Sequence, residues 1–334
     1  STVTQRAAGL CSITPLIRSR TRSSPKARGQ GEGQEGFVLH RSRAEAYAEA
    51  FGVEKVYDSC EDIFSDPQVD VVYISTPHNS HFPYIVKALE SGKHVLSEKA
   101  ITLNSWELAQ AEALAQRKGL VLAEAMTIWH MPLYKRLWEM AEQGELGRVH
   151  MITVSFGAPK DYDMSNRFFN RGLGGGALLD LGVYALSFAR SFMSSQPDQI
   201  ASQMRPAPTG VDEQENILLM NREGEAASMA VSLCTELPRT AVISCEKAYI
   251  EVPDYTRPVR ASIMDVKTKE RREIAEGKRE LALWYEMQDM ETAVLDGNIG
   301  LMRNAWTRDV MEIMTQLRKD WGLRYPEEEQ PGGR

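Results

Sequence analysis

Apolar and polar residues follow two different patterns along this chain, and the first pattern gives way to the second near residue 132. In the first part, short apolar runs alternate with amphipathic stretches of helix length. Residues 69–77 predict a buried strand that ends in a turn, residues 82–91 a helix closed by Gly92, and residues 94–98 a second strand. A strand, a helix and a strand in this order are typical of a parallel sheet covered by helices.

The same alternation of helix and strand continues for one more helix and one more strand. Residues 105–118 predict a helix, with Asn104 as its N-terminal cap and Gly119 at its end. Residues 120–124 predict the last strand of the sheet, and residues 125–132 predict the turn that leaves it. We therefore expect a Rossmann-like α/β domain at residues 37–132.

From Gly147 onward, strands follow one another with few helices between them. Strand patterns recur at residues 148–156, 200–204, 216–220, 226–234, 240–245 and 248–252. Consecutive strands of this kind suit one open, mainly antiparallel sheet. Helices return at residues 284–295 and again from residue 310, and we expect a loose tail at residues 327–334. The pattern predicts an α+β domain at residues 133–326, with its terminal helix packed back on the first domain.

Residues 1–36 differ in composition from the rest, because they are rich in Ser, Thr, Arg and Gly. We expect this segment to be disordered or aberrant. Gly31, Gly33 and Gly36 have the spacing of a dinucleotide-binding turn, but a polar stretch precedes them and a strand-like run follows. A working turn follows a buried strand and opens a helix. The first strand and the glycine-rich turn of a nucleotide fold are therefore missing, through either a gene-model error or a genuine loss.

Composition narrows the class of protein. The chain has 334 residues, 43% of them hydrophobic, which suits two domains with a large core. A net charge of −7 argues against a nucleic-acid partner, and no apolar run reaches the ~20 residues that span a membrane. Four cysteines without paired spacing predict neither disulfides nor a metal site. We expect a soluble, cytoplasmic protein with no membrane partner.

Two charged residues, Glu98 and Lys99, stand where the second apolar strand stops. A parallel strand delivers catalytic groups to the carboxyl edge of its sheet, where ligands bind. We therefore expect one crevice to be lined by residues that follow the first two strands: Thr76, Pro77, Asn79, His81, Glu98 and Lys99. The alternative is a solvated surface ion pair.

A second group of chemically capable residues follows three glycines at positions 174–176. Asp180 and Tyr184 are four residues apart, so on a helix they would share one face. The alternative is a buried acidic cap followed by a core tyrosine. Further candidates for substrate contact are Trp129 and His130, in the turn after the last parallel strand, and Arg167. Each of these three has an ordinary alternative, in the core or on a solvated surface.

Two motifs resemble those of a known family. The residues from Ile74 to His81, and those from Ala88 to Lys99 that end in Ser-Glu-Lys, resemble the Gfo/Idh/MocA family of nicotinamide-dependent oxidoreductases. Most of the family has proline where this chain has Ala100. The string from Gly174 to Tyr184 resembles the dihydrodiol dehydrogenase and D-xylose dehydrogenase branches of that family. The resemblance covers about residues 44–326.

The resemblance implies a fold, a cofactor and an activity. It implies that NADP, or alternatively NAD, is bound at the strand ends named above, and that a sugar resembling D-xylose or a trans-dihydrodiol is oxidised. It implies that Lys99, Asp180 and Tyr184 are the catalytic residues, and that the open sheet forms a homodimer. The competing hypothesis is an inactive binding protein, scaffold or sensor that has lost its phosphate-binding turn.

In the implied chemistry, Lys99 and Tyr184 act together on the hydroxyl proton of the substrate. Oxidation of an alcohol removes the hydroxyl proton while hydride leaves the carbon. A tyrosine with a pKa of about 10 is ionised to roughly 0.1% at neutral pH, and lowering that pKa by ~2 units takes ~2.7 kcal/mol. A lysine ammonium close to the phenol could supply this energy. Alternatively, Lys99 itself transfers the proton.

Overall fold

The computed structural model describes the backbone of Ala7–Ala8 and Ile13–Ile17 and the whole of residues 55–329. Apart from these two short strands, the segment predicted to be disordered lies outside the described residues. So do residues 37–54, the predicted start of the Rossmann-like domain, and residues 330–334 of the predicted tail.

The described elements follow the predicted order closely. The strands are β1 (Ala7–Ala8), β2 (Ile13–Ile17), β3 (Lys55–Val56), β4 (Val69–Ile74), β5 (His94–Glu98), β6 (Leu122–Ala125), β7 (Val149–Gly157), β8 (Gln199–Pro206), β9 (Asp212–Met220), β10 (Ala226–Ser232), β11 (Leu237–Cys245), β12 (Ala248–Pro253), β13 (Arg260–Asp265) and β14 (Arg271–Ala275). The helices are α1 (Cys60–Ser65), α2 (His78–Glu90), α3 (Ser105–Lys118), α4 (Pro132–Glu142), α5 (Val183–Phe192), α6 (Ala282–Leu295) and α7 (Asn304–Trp321). Short helical turns lie at Thr127–His130, Arg171–Leu173, Leu178–Gly182, Arg279–Leu281, Ile299–Met302 and Pro326–Glu328.

The chain forms two compact units. Unit 1 comprises Ser1–Ala125 and Met287–Met302, and unit 2 comprises Met126–Glu286 and Arg303–Arg334. The predicted boundary at residue 132 therefore lies a few residues past the one in the structure. A segment near the carboxyl end, Met287–Met302, returns to the first unit, which local patterning does not reveal.

Unit 1 contains a sheet in the order β2-β4-β5-β6. The strands β4, β5 and β6 run parallel, as predicted, and α2 and α3 connect them in sequence. The strand β2 pairs with β4 in the antiparallel direction, while β1 and β3 form a separate parallel pair. The parallel core of a Rossmann-like domain is therefore confirmed.

Residues of the local sequence explain where the helices of unit 1 begin and end. Helix α3 begins where the side chain of Asn104 accepts a hydrogen bond from the amide of Glu107, and it ends at Gly119 in the left-handed conformation. These are the predicted caps. Helix α2 begins at His78, four residues before its predicted start, and it contains Pro83 in its interior.

The core of unit 1 includes residues from a late part of the chain. Part of α6 and the turn after it supply Met290, Ala293 and Met302, which pack against apolar residues of the parallel strands. The terminal helix α7 instead lies in unit 2 and packs on α5. Both helices carry apolar residues at helical spacing, so the pattern predicts burial but not which unit receives each helix.

Unit 2 is built on one eight-stranded sheet in the order β14-β13-β12-β11-β7-β10-β9-β8. Only the β7–β10 pair runs parallel among its neighbouring pairs. The predicted open, mainly antiparallel sheet is therefore confirmed. The strands β13 and β14 were not predicted. For β14 the reason is that it carries mostly exposed charged residues, as edge strands often do.

The two faces of this sheet differ in burial. Burial alternates along β9 and β12, so that every second side chain enters the core beneath α5. On the opposite face, Met151, Leu218 and Met220 are exposed, and they line a shallow apolar depression that includes Ile200. Apolar side chains on both faces are unusual for a sheet that contacts water on one side.

One stretch, Arg171–Phe192, has the length and the hydropathy of a membrane-spanning helix. In the structure 83% of its most apolar window is buried inside the protein. Burial of this kind is also found in the central helix of a large core.

Candidate active site

The parallel strands of unit 1 bring the first predicted group of residues to one edge. Ile74 of β4 pairs with Ser97 of β5, so both strands end at the same level of the sheet. Thr76 and Pro77 follow β4 directly, and Lys99 follows β5. The carboxyl edge of the sheet therefore carries these residues, as the sequence predicts.

Glu98 has a defined partner on the neighbouring strand. The hydroxyl of Tyr73 donates a hydrogen bond to Oε1 of Glu98, and the amide of Lys99 lies 3.3 Å from Oε2. The carboxylate is therefore anchored on two sides, which fixes the point where the chain leaves β5. Lys99 itself is half-buried.

The start of α2 lies beside this point. No side chain caps the amino end of α2, which follows Pro77. The Thr76 hydroxyl is buried and accepts a hydrogen bond of 2.7 Å from the Ser80 hydroxyl. Uncapped N–H groups at a helix start attract anionic or hydroxyl oxygens. Thr76, Pro77 and Asn79 thus surround a helix end that is suited to a polar ligand.

The structure gives His81 a different role from the predicted contact with cofactor. His81 is buried, with Nε2 2.7 Å from the carbonyl oxygen of Thr76 and Nδ1 2.9 Å from that of Ala100. Burial lowers the pKa of its imidazole, and the two carbonyl groups oppose that shift. Both ring nitrogens are therefore occupied by backbone. His81 ties the end of β4 to the segment after Lys99.

Glu124 also holds this segment, and the sequence prediction missed it. Its buried carboxylate accepts a hydrogen bond of 3.1 Å from the amide of Ile101, two residues after Lys99. The signal was present, since an acidic residue inside an apolar strand requires a partner. Together, Glu124 and His81 fix the backbone on the carboxyl side of Lys99.

In unit 2, the glycines before Asp180 are required by close contacts. Gly176 has a φ of 125°, and a Cβ atom there would lie 2.2 Å from Oδ1 of Asp212. Its amide donates to the carbonyl of Phe168, and the Tyr325 hydroxyl donates to the carbonyl of Gly175 at 2.6 Å. A side chain at position 176 would collide and would strain the backbone.

Asp180 lies in a π-helical turn, Leu178–Gly182, that leads into α5. The prediction of a simple α-helical face for Asp180 and Tyr184 is therefore corrected, because the wider turn changes the angle between the two positions. Such turns recur at functional sites. Asp180 pairs with Arg167 across 3.7 Å, and the Arg167 guanidinium also lies over the ring of Phe168.

Tyr184 is half-buried on α5, with its ring tilted against that of Phe156 at 6.3 Å between centroids. Phe156 also contacts Tyr255, whose hydroxyl is fully buried. Burial, and next the charge of Tyr184, raise the pKa of Tyr255 well above its usual value, and Arg239 opposes that shift. Tyr184 is therefore part of an aromatic cluster that also holds a positive charge.

A buried pair of carboxyl groups lies behind the π-helical turn and was not predicted. Oδ2 of Asp212 accepts a hydrogen bond of 2.5 Å from the amide of Leu178, and a Cβ atom at Gly182 would lie 2.5 Å from Oε1 of Glu215. Burial raises the pKa of Asp212 to about 6. Burial and the charge of Asp212 raise the pKa of Glu215 well above its usual value. Burial therefore favours the protonated form of Glu215 over its carboxylate.

Trp129 and His130, which were predicted as substrate contacts, lie in the interior of the protein. Both are fully buried. The Trp129 ring meets that of Trp306 at 5.9 Å, and its indole N–H donates to the carbonyl of Ser187 at 3.4 Å. Trp129 thus takes the core position that was its alternative. Among the described residues, no group of three or more metal-ligating side chains is placed to hold a metal.

Comparison with known proteins agrees with this arrangement. A model for the oxidoreductase family with an NAD-binding Rossmann fold matches residues 35–126, and one for the GFO/IDH/MocA C-terminal domain matches residues 134–251. Trans-1,2-dihydrobenzene-1,2-diol dehydrogenase of Mus musculus is 30% identical over 297 residues, which cover 86% of this chain and 88% of the relative. The chain belongs to the Gfo/Idh/MocA family of oxidoreductases.

Solved structures of other members share the fold of this Gfo/Idh/MocA protein. Aldose-aldose oxidoreductase from Caulobacter crescentus has a TM-score of 0.74 at 20% identity, covering 84% of this chain and 88% of its own. KijD10, a 3-ketoreductase from Actinomadura kijaniata solved with NADP and TDP-benzene, has a TM-score of 0.70 at 23% identity, covering 84% and 86%. KijD10 was also solved as variants of one lysine and of one tyrosine.

Membership of the Gfo/Idh/MocA family makes the chain a nicotinamide-dependent oxidoreductase. The relatives found are named as dehydrogenases and oxidoreductases, so the alternative of an inactive scaffold or sensor is not supported. The described residues fit one part of such a cofactor, because the uncapped start of α2 and the end of β5 lie at one edge. A glycine-rich turn for the phosphates does not occur among the described residues of unit 1.

Proposed function

We propose that this protein is an NADP-dependent dehydrogenase that oxidises a secondary or anomeric alcohol of a sugar, or a trans-dihydrodiol. The observation that carries the proposal is the similarity of this chain, over most of its length, to a dihydrodiol dehydrogenase. Lys99 at the end of β5, and Asp180 and Tyr184 around a π-helical turn, support it. NADP is favoured over NAD because KijD10 was solved with NADP.

In this proposal, each residue of the site has a distinct role. Tyr184 accepts the hydroxyl proton of the substrate at its phenolic oxygen, and Asp180, held by Arg167, orients the substrate. The ammonium group of Lys99 stabilises the phenolate and orients the same hydroxyl. The nicotinamide, when bound, accepts the hydride. Thr76, Pro77 and Asn79 at the start of α2, with Glu98 and Lys99, hold the cofactor at the edge of the sheet.

Replacement of Tyr184 tests its proposed role as the proton acceptor. Tyr184→Phe keeps the ring that packs on Phe156 and removes only the proton acceptor. We expect kcat to fall by about 10²- to 10⁴-fold, while the affinity for NADPH, followed by cofactor fluorescence, stays within about twofold. Tyr285→Phe, a surface tyrosine whose hydroxyl accepts from the amide of Lys278, is the matched control and should keep its activity.

A preliminary titration with NADPH and with NADH establishes the cofactor. D-xylose and trans-1,2-dihydrobenzene-1,2-diol are then the first substrates to compare. Unchanged turnover in Tyr184→Phe would refute the role of Tyr184. Turnover with neither substrate class, by a protein that binds NADPH, would refute the proposed substrates.

The exposed face of the eight-stranded sheet supports a proposal about assembly. Met151, Leu218 and Met220 are 52%, 56% and 40% exposed, and they lie around one depression on β7 and β9, the two strands that flank β10. A sheet face of this kind is suited to a second copy, because a two-fold axis would place the same apolar side chains opposite each other. We propose a homodimer through this face, and a cytoplasmic location for it.

A further inference from the structure

Arg239 differs from the buried arginines Arg190 and Arg318 of unit 2, because no acidic side chain among the described residues pairs with it. Arg190 pairs with Asp309 at 2.6 Å, and Arg318 pairs with Glu328 at 2.8 Å. Arg239 is half-buried, its Nε atom is fully buried, and none of its N–H groups donates a hydrogen bond to a described residue. A buried N–H donor without an acceptor is costly, so its presence requires an explanation, and a bound ligand is one.

The position of Arg239 points to the ligand site. Its guanidinium carbon lies 4.6 Å from the centroid of the Phe156 ring, the ring that also contacts Tyr184 and Tyr255. Phe156 lies near the end of β7, and Arg239 near the start of the adjacent β11. The guanidinium plane is therefore held by an aromatic face next to the proposed proton acceptor, while its hydrogen-bond donors are left unused.

The local charge favours an anion over a neutral hydroxyl. Arg167, the other arginine near the proposed site, is balanced by Asp180, whereas the charge of Arg239 is balanced by no described residue. A guanidinium offers parallel N–H groups that match the two oxygens of a carboxylate. A neutral sugar hydroxyl would use one donor and leave the charge uncompensated.

We propose that Arg239 binds a carboxylate of the substrate, so that the protein prefers sugar acids to the corresponding neutral sugars. The inference rests on the proposed function, because it concerns the substrate of the same site. It names the chemical class, a polyhydroxylated carboxylate, and a residue that selects it.

A matched pair of sugars provides the test, since D-glucuronate differs from D-glucose by a carboxylate in place of a hydroxymethyl group. With NADP, KM of the wild-type protein should be lower for D-glucuronate. Arg239→Met should raise KM for D-glucuronate roughly 10- to 100-fold, with a change of less than about twofold for D-glucose. Arg239→Lys should give an intermediate value. Arg303→Met is the control, because Arg303 also lies over aromatic rings but elsewhere in unit 2.

Calorimetric titration of D-glucuronate into the NADP-saturated protein separates this inference from the proposed activity. Binding that Arg239→Met abolishes, without turnover of either sugar, would support the carboxylate site and refute sugar oxidation as the proposed activity. Turnover of both sugars with KM values that do not depend on Arg239 would overturn the inference and leave the dehydrogenase intact. An equal fall in kcat for both sugars, with KM unchanged, would also overturn it, because Arg239 would then serve the Tyr184 phenol.

Discussion

Replacing Glu215 by glutamine should stabilise this protein, although it alters a fully enclosed polar group. Glu215 is 1% exposed, and its oxygens accept no hydrogen bond from an N–H or O–H group of the described residues. Burial first, and then the charge of Asp212, raise the pKa of Glu215 well above its ordinary value of 4.5. Folding at a pH between 4.5 and this raised pKa therefore requires Glu215 to take up a proton.

The size of the effect follows from this proton. In the unfolded chain Glu215 titrates near 4.5, so between that pH and its raised pKa the folded state must hold a proton that the unfolded chain has released, at a cost of about 1.4 kcal/mol per pH unit. Because the pKa is higher in the folded state, the stability linked to this group is complete below pH 4.5 and is lost as pH rises through the folded pKa. Glutamine resembles the protonated form at every pH. Glu215→Gln should match the wild type near pH 4.5 and exceed it by about 1.4 kcal/mol more for each further pH unit, up to the raised pKa of Glu215.

Urea unfolding between pH 5 and 8 measures this difference. Tryptophan fluorescence is a suitable signal for unit 2, which contains Trp129, Trp138, Trp284, Trp306 and Trp321. Glu213→Gln is the matched control two residues earlier, because Glu213 pairs with Arg205 at 2.8 Å and accepts from the Tyr162 hydroxyl at 2.6 Å. That variant should be less stable by about 1 kcal/mol throughout. A difference for Glu215→Gln that does not grow with pH, or a loss of stability at pH 8, would refute the reasoning.

Two further predictions concern the backbone near Lys99 and the exposed sheet. His81→Leu removes the ring nitrogens that face the carbonyl oxygens of Thr76 and Ala100, so it should lower the free energy of unfolding by about 1–3 kcal/mol. Thermal unfolding with a wild-type midpoint would contradict the assigned contacts. Leu218→Asp should convert the proposed dimer to a monomer in light scattering, whereas Leu283→Asp, also on an exposed leucine, should not. A monomeric wild-type protein would exclude the dimer.

Sequence patterns predicted those parts of the fold that depend on local spacing. Residues 105–118 were predicted as a helix, and α3 has the same bounds because Asn104 and Gly119 act as caps within the local chain. The family motifs similarly placed Lys99 at the end of β5. In both cases, the interactions that decide the outcome lie within a few residues of each other.

Predictions that depend on which distant residue becomes a neighbour were less successful. His81 has the residue type of a ligand contact, but the backbone oxygens of Thr76 and Ala100 enclose it. Trp129 likewise follows a strand end, but Trp306, far along the chain, packs against it. Residue type and position at a strand end therefore predict a candidate site, whereas burial by remote segments decides which side chains remain available.

The pair formed by Asp212 and Glu215 connects this limit to the proposed chemistry. No local pattern predicts that two acidic residues of β9 will be enclosed behind the π-helical turn that carries Asp180. Their oxygens occupy the space that side chains at positions 176 and 182 would need, so the glycines and the acids constrain each other. If Glu215→Gln is more stable at neutral pH, the wild type retains a destabilising carboxyl beside the proposed active site. Such a cost is most simply explained when function, and not stability, determines the residue at that position.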